Sequence, residues 1–249
     1  TIVPMPGAAA ETFEWGRRQF LKEAQALAQF KHNNIVRVLR FLELNGTAYM
    51  IMEYEQGQGL QDYIQSKGRP DERMLLQVFL PILNGLQAVH RAGLLHLDIK
   101  PDNIYLRADG SPMLIDFGSA RRIARGTDKA AGPVALTPAY AAIEQYPDRG
   151  KQGPWTDIYS IGASLYRCIS GSDPVDALTR QLAVKLRKPD PLTPAVKLEQ
   201  GGYSAYLCEC IDWAMQIEPS RRPQGALELQ EALMGKGRAQ RKPAPPAVP

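Results

Sequence analysis

Long hydrophobic runs, paired cysteines and an excess of one charge are all missing from this 249-residue sequence. No stretch approaches the roughly 18 apolar residues that span a bilayer, and no charged start followed by an apolar run resembles a signal peptide. The three cysteines leave an odd count with no matching set of metal ligands, which indicates reduced thiols in a cytoplasmic compartment. The formal net charge is only +4 and most basic residues are scattered, so the sequence does not indicate a nucleic-acid-binding face.

The composition is that of an ordinary globular protein. Hydrophobic residues make up 44% and charged residues 22%, which argues against a wholly disordered chain and against a coiled coil. Segment 1–12 is rich in Pro, Gly and Ala and is expected to be irregular. Apolar residues near helical spacing predict one amphipathic helix over 13–30.

Alternating element types follow along the rest of the chain. Asn45-Gly46 joins two β-rich runs, 35–44 and 47–54, and favours a tight hairpin because both of its positions accept positive φ. Beyond the hairpin the patterns predict helices at 60–66 and 71–92, short strands at 94–95, 104–106 and 113–115, and helices broken by prolines after Trp155.

The most informative stretch is 96–103, which reads His-Leu-Asp-Ile-Lys-Pro-Asp-Asn and is followed by Asp-Phe-Gly at 116–118. It resembles the protein-kinase catalytic loop H-R-D-L-K-P-x-N and the metal-binding D-F-G. The spacings agree with the family pattern, because Lys100, Asn103 and Asp116 follow Asp98 by two, five and eighteen residues. The sequence is therefore similar to the eukaryotic-like Ser/Thr protein kinases. Its short loops and its usage of Ala, Arg and Gln favour the bacterial branch of that family.

This resemblance implies Mg²⁺-dependent transfer of the γ-phosphate of ATP, in which the protein mainly positions groups and neutralises charge. Asp98 would accept the proton of the substrate hydroxyl, and Lys100 would lie against the transferring phosphate. Asn103 and Asp116 would supply hard oxygen ligands to Mg²⁺. The resemblance also places Tyr105 among the nucleotide-binding residues.

The C-terminal half contains further matches to the family. Segment 137–144 resembles the substrate-facing segment that ends in A-P-E, with isoleucine in place of the proline. Thr137 falls where Ser/Thr-specific kinases have a threonine that contacts the catalytic Asp and Lys, so a protein Ser/Thr substrate is expected. The resemblance also makes Asp157 the cap of the catalytic loop and Arg222 the buried partner of Glu144.

On the N-terminal side, the resemblance assigns three parts of the nucleotide site. Glu23 would be the glutamate of the regulatory helix, and Met52 would be the gatekeeper beside the adenine. The backbones of Glu53 and Glu55 would be available for hydrogen bonds to the adenine.

Two family features are missing before Glu23: the G-x-G-x-x-G loop and the V-A-I-K lysine. We interpret the chain as a fragment of a kinase, and the alternative is a naturally shortened pseudokinase that acts as a protein-binding scaffold. A small-molecule kinase of related fold is disfavoured by the peptide-binding segment. Leu97 also replaces the arginine that receives a loop phosphate, and Pro133 lies near the usual phosphosite. We therefore expect activation without loop phosphorylation.

The sequence thus predicts an α+β, protein-kinase-like two-lobe fold with a truncated N-lobe, made of the regulatory helix and a β-hairpin, and a mainly helical C-lobe. We expect an irregular segment at 1–12, a partial N-lobe at 13–54, the C-lobe at 55–235 and a basic, then Pro-rich linker at 236–249. The expected location is the cytoplasm, with a membrane anchor after the linker left open. The sequence names neither the substrate nor an oligomeric state.

Overall fold

A small strand-rich part precedes a larger helical part in the computed structural model, which describes residues 17, 31–117, 119–122, 136–198 and 202–236. This arrangement confirms the predicted α+β class with a mainly helical C-lobe. The helix predicted over 13–30, including Glu23, lies outside the described residues except for Arg17, whose guanidinium pairs with Glu43 at 2.6 Å.

The predicted hairpin is present, with strands β1 (Val38–Leu44) and β2 (Thr47–Met52) paired antiparallel. Asn45 and Gly46 have φ angles of 54° and 75°, so the turn uses the left-handed conformations that these two residue types accept best. The first strand begins later than predicted. Ile35 instead forms a parallel bridge with Leu114, which ties the chain before the hairpin to the strands of the helical part.

Six α-helices make up the framework of the larger, helical part of the described chain. The N-terminus of the longest helix is capped by Asp71, whose carboxylate accepts a hydrogen bond from the Met74 amide at 2.7 Å. The helix Pro154–Ser170 ends at Gly171, which has φ 78° and forms a left-handed cap. The helices are α1 (Leu60–Lys67), α2 (Glu72–Arg91), α3 (Pro154–Ser170), α4 (Ala177–Lys185), α5 (Ala205–Ala214) and α6 (Ala226–Leu233).

Five short strands surround the segments that resemble kinase motifs. They are β3 (Gly57–Gly59), β4 (Leu94–Leu95), β5 (Ile104–Arg107), β6 (Pro112–Leu114) and β7 (Arg121–Arg122). Strand β5 lies between β3 and β6, and β4 pairs with β7. Gly57 is required in β3, because a Cβ there would lie 2.0 Å from the carbonyl oxygen of Leu106. The 96–103 loop therefore runs between β4 and β5, and Asp116 follows β6.

The core lies between α2, α3, α5 and α6, and it also includes the apolar residues of the short strands. Helix α3 is buried on almost every side, so the polar residues Thr156 and Asp157 in its first turn are buried too. Buried polar groups need hydrogen-bond partners, and these two find theirs in the segments that form the site. Within the described ranges, no helix is both long and apolar enough to cross a membrane.

Candidate active site

Asp98 lies at the centre of a compact polar cluster. The Lys100 ammonium contacts both of its carboxylate oxygens, at 3.0 and 3.3 Å. The Asn103 side-chain amide donates to the Asp98 backbone carbonyl at 2.8 Å and to its carboxylate at 3.1 Å. The side chain of Asp98 is 14% exposed, so its carboxylate is fixed in orientation and still open to solvent.

Thr137 joins this cluster from a distant part of the sequence. Its hydroxyl donates to Asp98 Oδ1 at 2.9 Å and accepts from Lys100 Nζ at 3.0 Å. These two bonds place the substrate-facing segment against the catalytic loop. The contact that the kinase resemblance predicted for Thr137 is therefore present in the geometry.

A backbone hydrogen bond ties the residue before Asp116 to Asn103, since the Ile115 amide donates to the Asn103 carbonyl at 2.9 Å. The Asn103 side-chain nitrogen donates to Asp98, so the Oδ1 atom of Asn103 remains as a hydrogen-bond acceptor. Asp116 has φ 57°, an unusual conformation for a residue with a side chain. Such strain is often concentrated at functional sites.

These two side chains fit a magnesium ion that is shared with phosphate. Among the described residues there is no cluster of three or more His, Cys, Asp or Glu that could hold a metal alone. Mg²⁺ is usually bound by one or two protein side chains together with substrate phosphates and water. One carboxylate and one amide oxygen therefore suit Mg²⁺ with a nucleotide better than they suit a metal held by protein alone.

Asp157 is the cap of the catalytic loop that the sequence predicted. Its fully buried carboxylate accepts from the backbone amides of His96 at 3.0 Å and Leu97 at 2.8 Å, and from the His90 ring at 2.8 Å. Burial alone would raise the pKa of this carboxyl, but the hydrogen bond and charge of His90 and the interactions with His96 hold it below its ordinary value. The carboxylate thus stays charged and fixes the start of the loop.

His96 supports the loop from inside the core. Its Nε2 lies 3.1 Å from the Ile115 carbonyl, its Nδ1 accepts from the Asp98 amide at 3.3 Å, and its ring packs on Phe117. Complete burial lowers the pKa of the imidazole, although nearby carboxylates oppose that shift. The neutral ring, protonated on Nε2, satisfies both contacts.

Glu144 and Arg222 form the buried pair that the sequence predicted. Two hydrogen bonds join them, at 2.8 and 3.1 Å, and neither side chain is exposed. Thr156 donates to Glu144 at 2.9 Å, and Arg222 also reaches three backbone carbonyls. The pair anchors the end of the substrate-facing segment to the core.

The segment after the hairpin offers a backbone acceptor at Glu53 and a backbone donor at Glu55 to a ligand. The Glu53 amide donates to the Arg37 carbonyl at 2.9 Å, which leaves the Glu53 carbonyl. The Glu55 carbonyl accepts from the Tyr105 hydroxyl at 3.1 Å, which leaves the Glu55 amide. Met52, expected as gatekeeper, is 41% exposed. The Tyr105 hydroxyl therefore fixes the Glu55 backbone.

Comparison with known proteins decides which family these features belong to. The sequence profile described as "Protein kinase domain" matches residues 8–233. The chain belongs to the protein kinase domain family. Among its relatives are two Ser/Thr-protein kinases of Mycobacterium tuberculosis: PknK is 33% identical over 217 residues, and PknL is 30% identical over 218. A probable Ser/Thr-protein kinase of Bifidobacterium longum, pknA2, is 33% identical over 159 residues.

The similarity to these bacterial kinases covers most of this chain but only part of each relative. It covers 86% of the chain against PknK and PknL and 64% against pknA2. The matched region makes up 19% of PknK, 54% of PknL and 21% of pknA2. The predicted membership in the bacterial branch of Ser/Thr kinases is confirmed, and the family in general uses ATP and Mg²⁺.

Sequence reasoning missed two residues of this kinase site. His90, in the last turn of α2, contacts the Asp157 carboxylate, and Gln145 bonds the Leu97 carbonyl at 2.8 Å. A histidine near a helix C-terminus is a weak signal for such a role, because it also suits the helix dipole. Gln145 gave no signal at all. Thr127 and Pro133 lie outside the described residues, so activation without loop phosphorylation stays a prediction.

Proposed function

We propose that this kinase domain transfers the γ-phosphate of ATP to Ser and Thr hydroxyls of proteins in the bacterial cytoplasm. The observation that carries the proposal is the triangle of Asp98, Lys100 and Thr137, with each pair within 3.3 Å. A carboxylate, an ammonium and a hydroxyl at these distances can receive a proton and neutralise a phosphate at one point. The three relatives described above are all named Ser/Thr kinases, which gives the scaffold alternative no support.

Asp98 is the proposed catalytic base. Its Oδ1 already accepts a hydrogen bond from one hydroxyl, that of Thr137, so the carboxylate is oriented to accept a second from a substrate. Lys100 would place its positive charge beside the transferring phosphoryl group and beside Asp98. Asn103 holds both the backbone and the side chain of Asp98, which limits the motion of the base.

Asn103 and Asp116 are the proposed ligands of Mg²⁺. When bound, the ion would neutralise the negative charge of the phosphate groups. The remaining Glu53 carbonyl and Glu55 amide would bind the adenine as acceptor and donor, with Met52 beside the ring. Tyr105 supports this edge through its bond to Glu55, and Glu23 keeps its proposed role in the regulatory helix.

Peptide phosphorylation tests this function. Three peptides that differ only in having Ser, Thr or Tyr at one position should be incubated with the chain, Mg²⁺ and labelled ATP. We expect label in the Ser and Thr peptides, loss of that label when EDTA removes Mg²⁺, and little label in the Tyr peptide. The proposal is wrong if the folded chain, supplied with Mg·ATP, labels none of the peptides or labels the Tyr peptide as fast as the others.

A further inference from the structure

Gln145 joins the substrate-facing segment to the catalytic loop through a single buried side chain. Its Oε1 accepts from the Ala142 amide at 2.9 Å, and its Nε2 donates to the Leu97 carbonyl at 2.8 Å. The residue is 7% exposed, so water cannot readily replace either bond. The two backbone groups that it joins belong to segments about 45 residues apart in sequence.

Leu97 is the point at which this link acts on the loop. It has φ 66°, in the left-handed region that costs a branched side chain free energy, and it directly precedes Asp98. Its amide is held by Asp157 at 2.8 Å and its carbonyl by Gln145. The strained conformation is therefore fixed at both ends, one by helix α3 and the other by the substrate-facing segment.

We propose that Gln145 is a positioning residue, whose two hydrogen bonds hold Leu97, and through it Asp98, in register with the substrate-facing segment. This inference rests on the proposed kinase function and adds to it. Thr137 links the same two segments at the open side of the site, and Gln145 links them at the buried side. Both hydrogen bonds of Gln145 join neutral groups, so this link does not depend on a phosphate on the loop. This agrees with Leu97, which stands where the family has the arginine that receives a loop phosphate.

Two substitutions separate the halves of the link. Gln145→Met has a similar length and removes both hydrogen bonds. Gln145→Glu keeps an acceptor for the Ala142 amide but has no donor for the Leu97 carbonyl. Gln152→Met is the matched control, since Gln152 lies seven residues along the chain and is partly exposed. Its side chain makes one weak hydrogen bond within the described residues, to the Glu144 carbonyl at 3.5 Å.

Hydrogen–deuterium exchange gives a readout that does not need catalysis. In Gln145→Met, amide exchange should rise about tenfold in peptides covering 96–103 and 137–145, because each segment loses a partner. In Gln145→Glu it should rise in 96–103 alone, and Gln152→Met should change neither. Unchanged exchange in 96–103 for both Gln145 variants, or an equal rise in the control, would overturn the proposal.

The kinetic readout distinguishes positioning from general support of the fold. At a temperature well below unfolding, Gln145→Met should lower kcat for peptide phosphorylation about tenfold with little change in KM for ATP. A lower melting temperature with an unchanged kcat would make Gln145 a purely structural residue. If the wild-type chain transfers no phosphate, the proposed function fails, and the exchange measurement still decides the role of Gln145.

Discussion

Arg222 donates two hydrogen bonds to the Glu144 carboxylate, at 2.8 and 3.1 Å, and both side chains are completely buried. Residues 144 and 222 are far apart in sequence, so their pairing anchors the end of the substrate-facing segment to the helical part of the fold. A charge left without its counterion in this interior is costly, because water does not reach it and the remaining hydrogen bonds carry no opposite charge. The pair therefore allows a direct comparison between buried and exposed ion pairs.

Glu144→Gln should destabilise the fold by about 3–5 kcal/mol, because it leaves the Arg222 charge buried without its counterion. Urea unfolding measures the effect. Glu43→Gln is the control, since Glu43 pairs with Arg17 at 2.6 Å but is 53% exposed, and its loss should cost at most about 1 kcal/mol. Similar losses in the two variants would show that the buried pair has no special role.

The hydroxyl of Thr137 should matter more than its methyl group. Thr137→Val keeps the shape but removes the bonds to Asp98 and Lys100, so kcat should fall roughly 10- to 100-fold, as expected for a lost hydrogen bond to a charged group. Thr137→Ser should keep kcat within a few-fold of the wild type. Equal activity of the Val and Ser variants would contradict the proposed role of the hydroxyl.

The buried His96 should make the fold sensitive to mild acid. Burial lowers the pKa of its imidazole below the ordinary 6.5, so the unfolded chain binds a proton at His96 that the folded chain refuses. Stability should be unaffected by this group above about pH 6.5 and should fall as the pH drops below that value.

Urea unfolding between pH 5 and 8, in the wild type and in His96→Gln, checks this sign. The variant should be less stable overall but should lose less stability between pH 6.5 and 5. His32 is the comparator, because burial lowers the pKa of its ring as well, but it is only partly buried. A His96→Gln variant with the same acid sensitivity as the wild type would show that His96 does not cause the effect.

Asp116 should be needed for nucleotide binding with Mg²⁺. A ligand that binds only the folded chain stabilises it by about 2.7 kcal/mol at a hundredfold excess over Kd. A thermal-shift titration with Mg·ATP should therefore give a saturable rise for the wild type and little or none for Asp116→Asn. Equal shifts for the two proteins would place the bound metal elsewhere.

Local patterns predicted most of the secondary structure. The Asn45-Gly46 turn was predictable because both residues accept the left-handed backbone conformations that they adopt. The true start of β1 was not predictable, because Ile35 is drawn into a long-range bridge with Leu114. The domain boundary after residue 54 stays a prediction.

The site was predictable where residue type and spacing together define a pattern. Asp98, Lys100, Asn103 and Thr137 were named from the resemblance to kinase motifs, and the structure brings their side chains together. The supporting residues were not. Gln145 acts through two backbone groups, and a backbone partner leaves no trace in the residue types around it.

The central claim is that Asp98 acts as the base in phosphoryl transfer. Single-turnover transfer from Mg·ATP to a Ser peptide tests this claim most directly. Asp98→Asn should be compared with Asp102→Asn, which removes an exposed carboxylate from the same loop. We predict that Asp98→Asn lowers the rate on the order of 10²- to 10⁴-fold, while Asp102→Asn leaves it nearly unchanged. A rate that survives in Asp98→Asn, with the protein folded and nucleotide bound, would contradict the account.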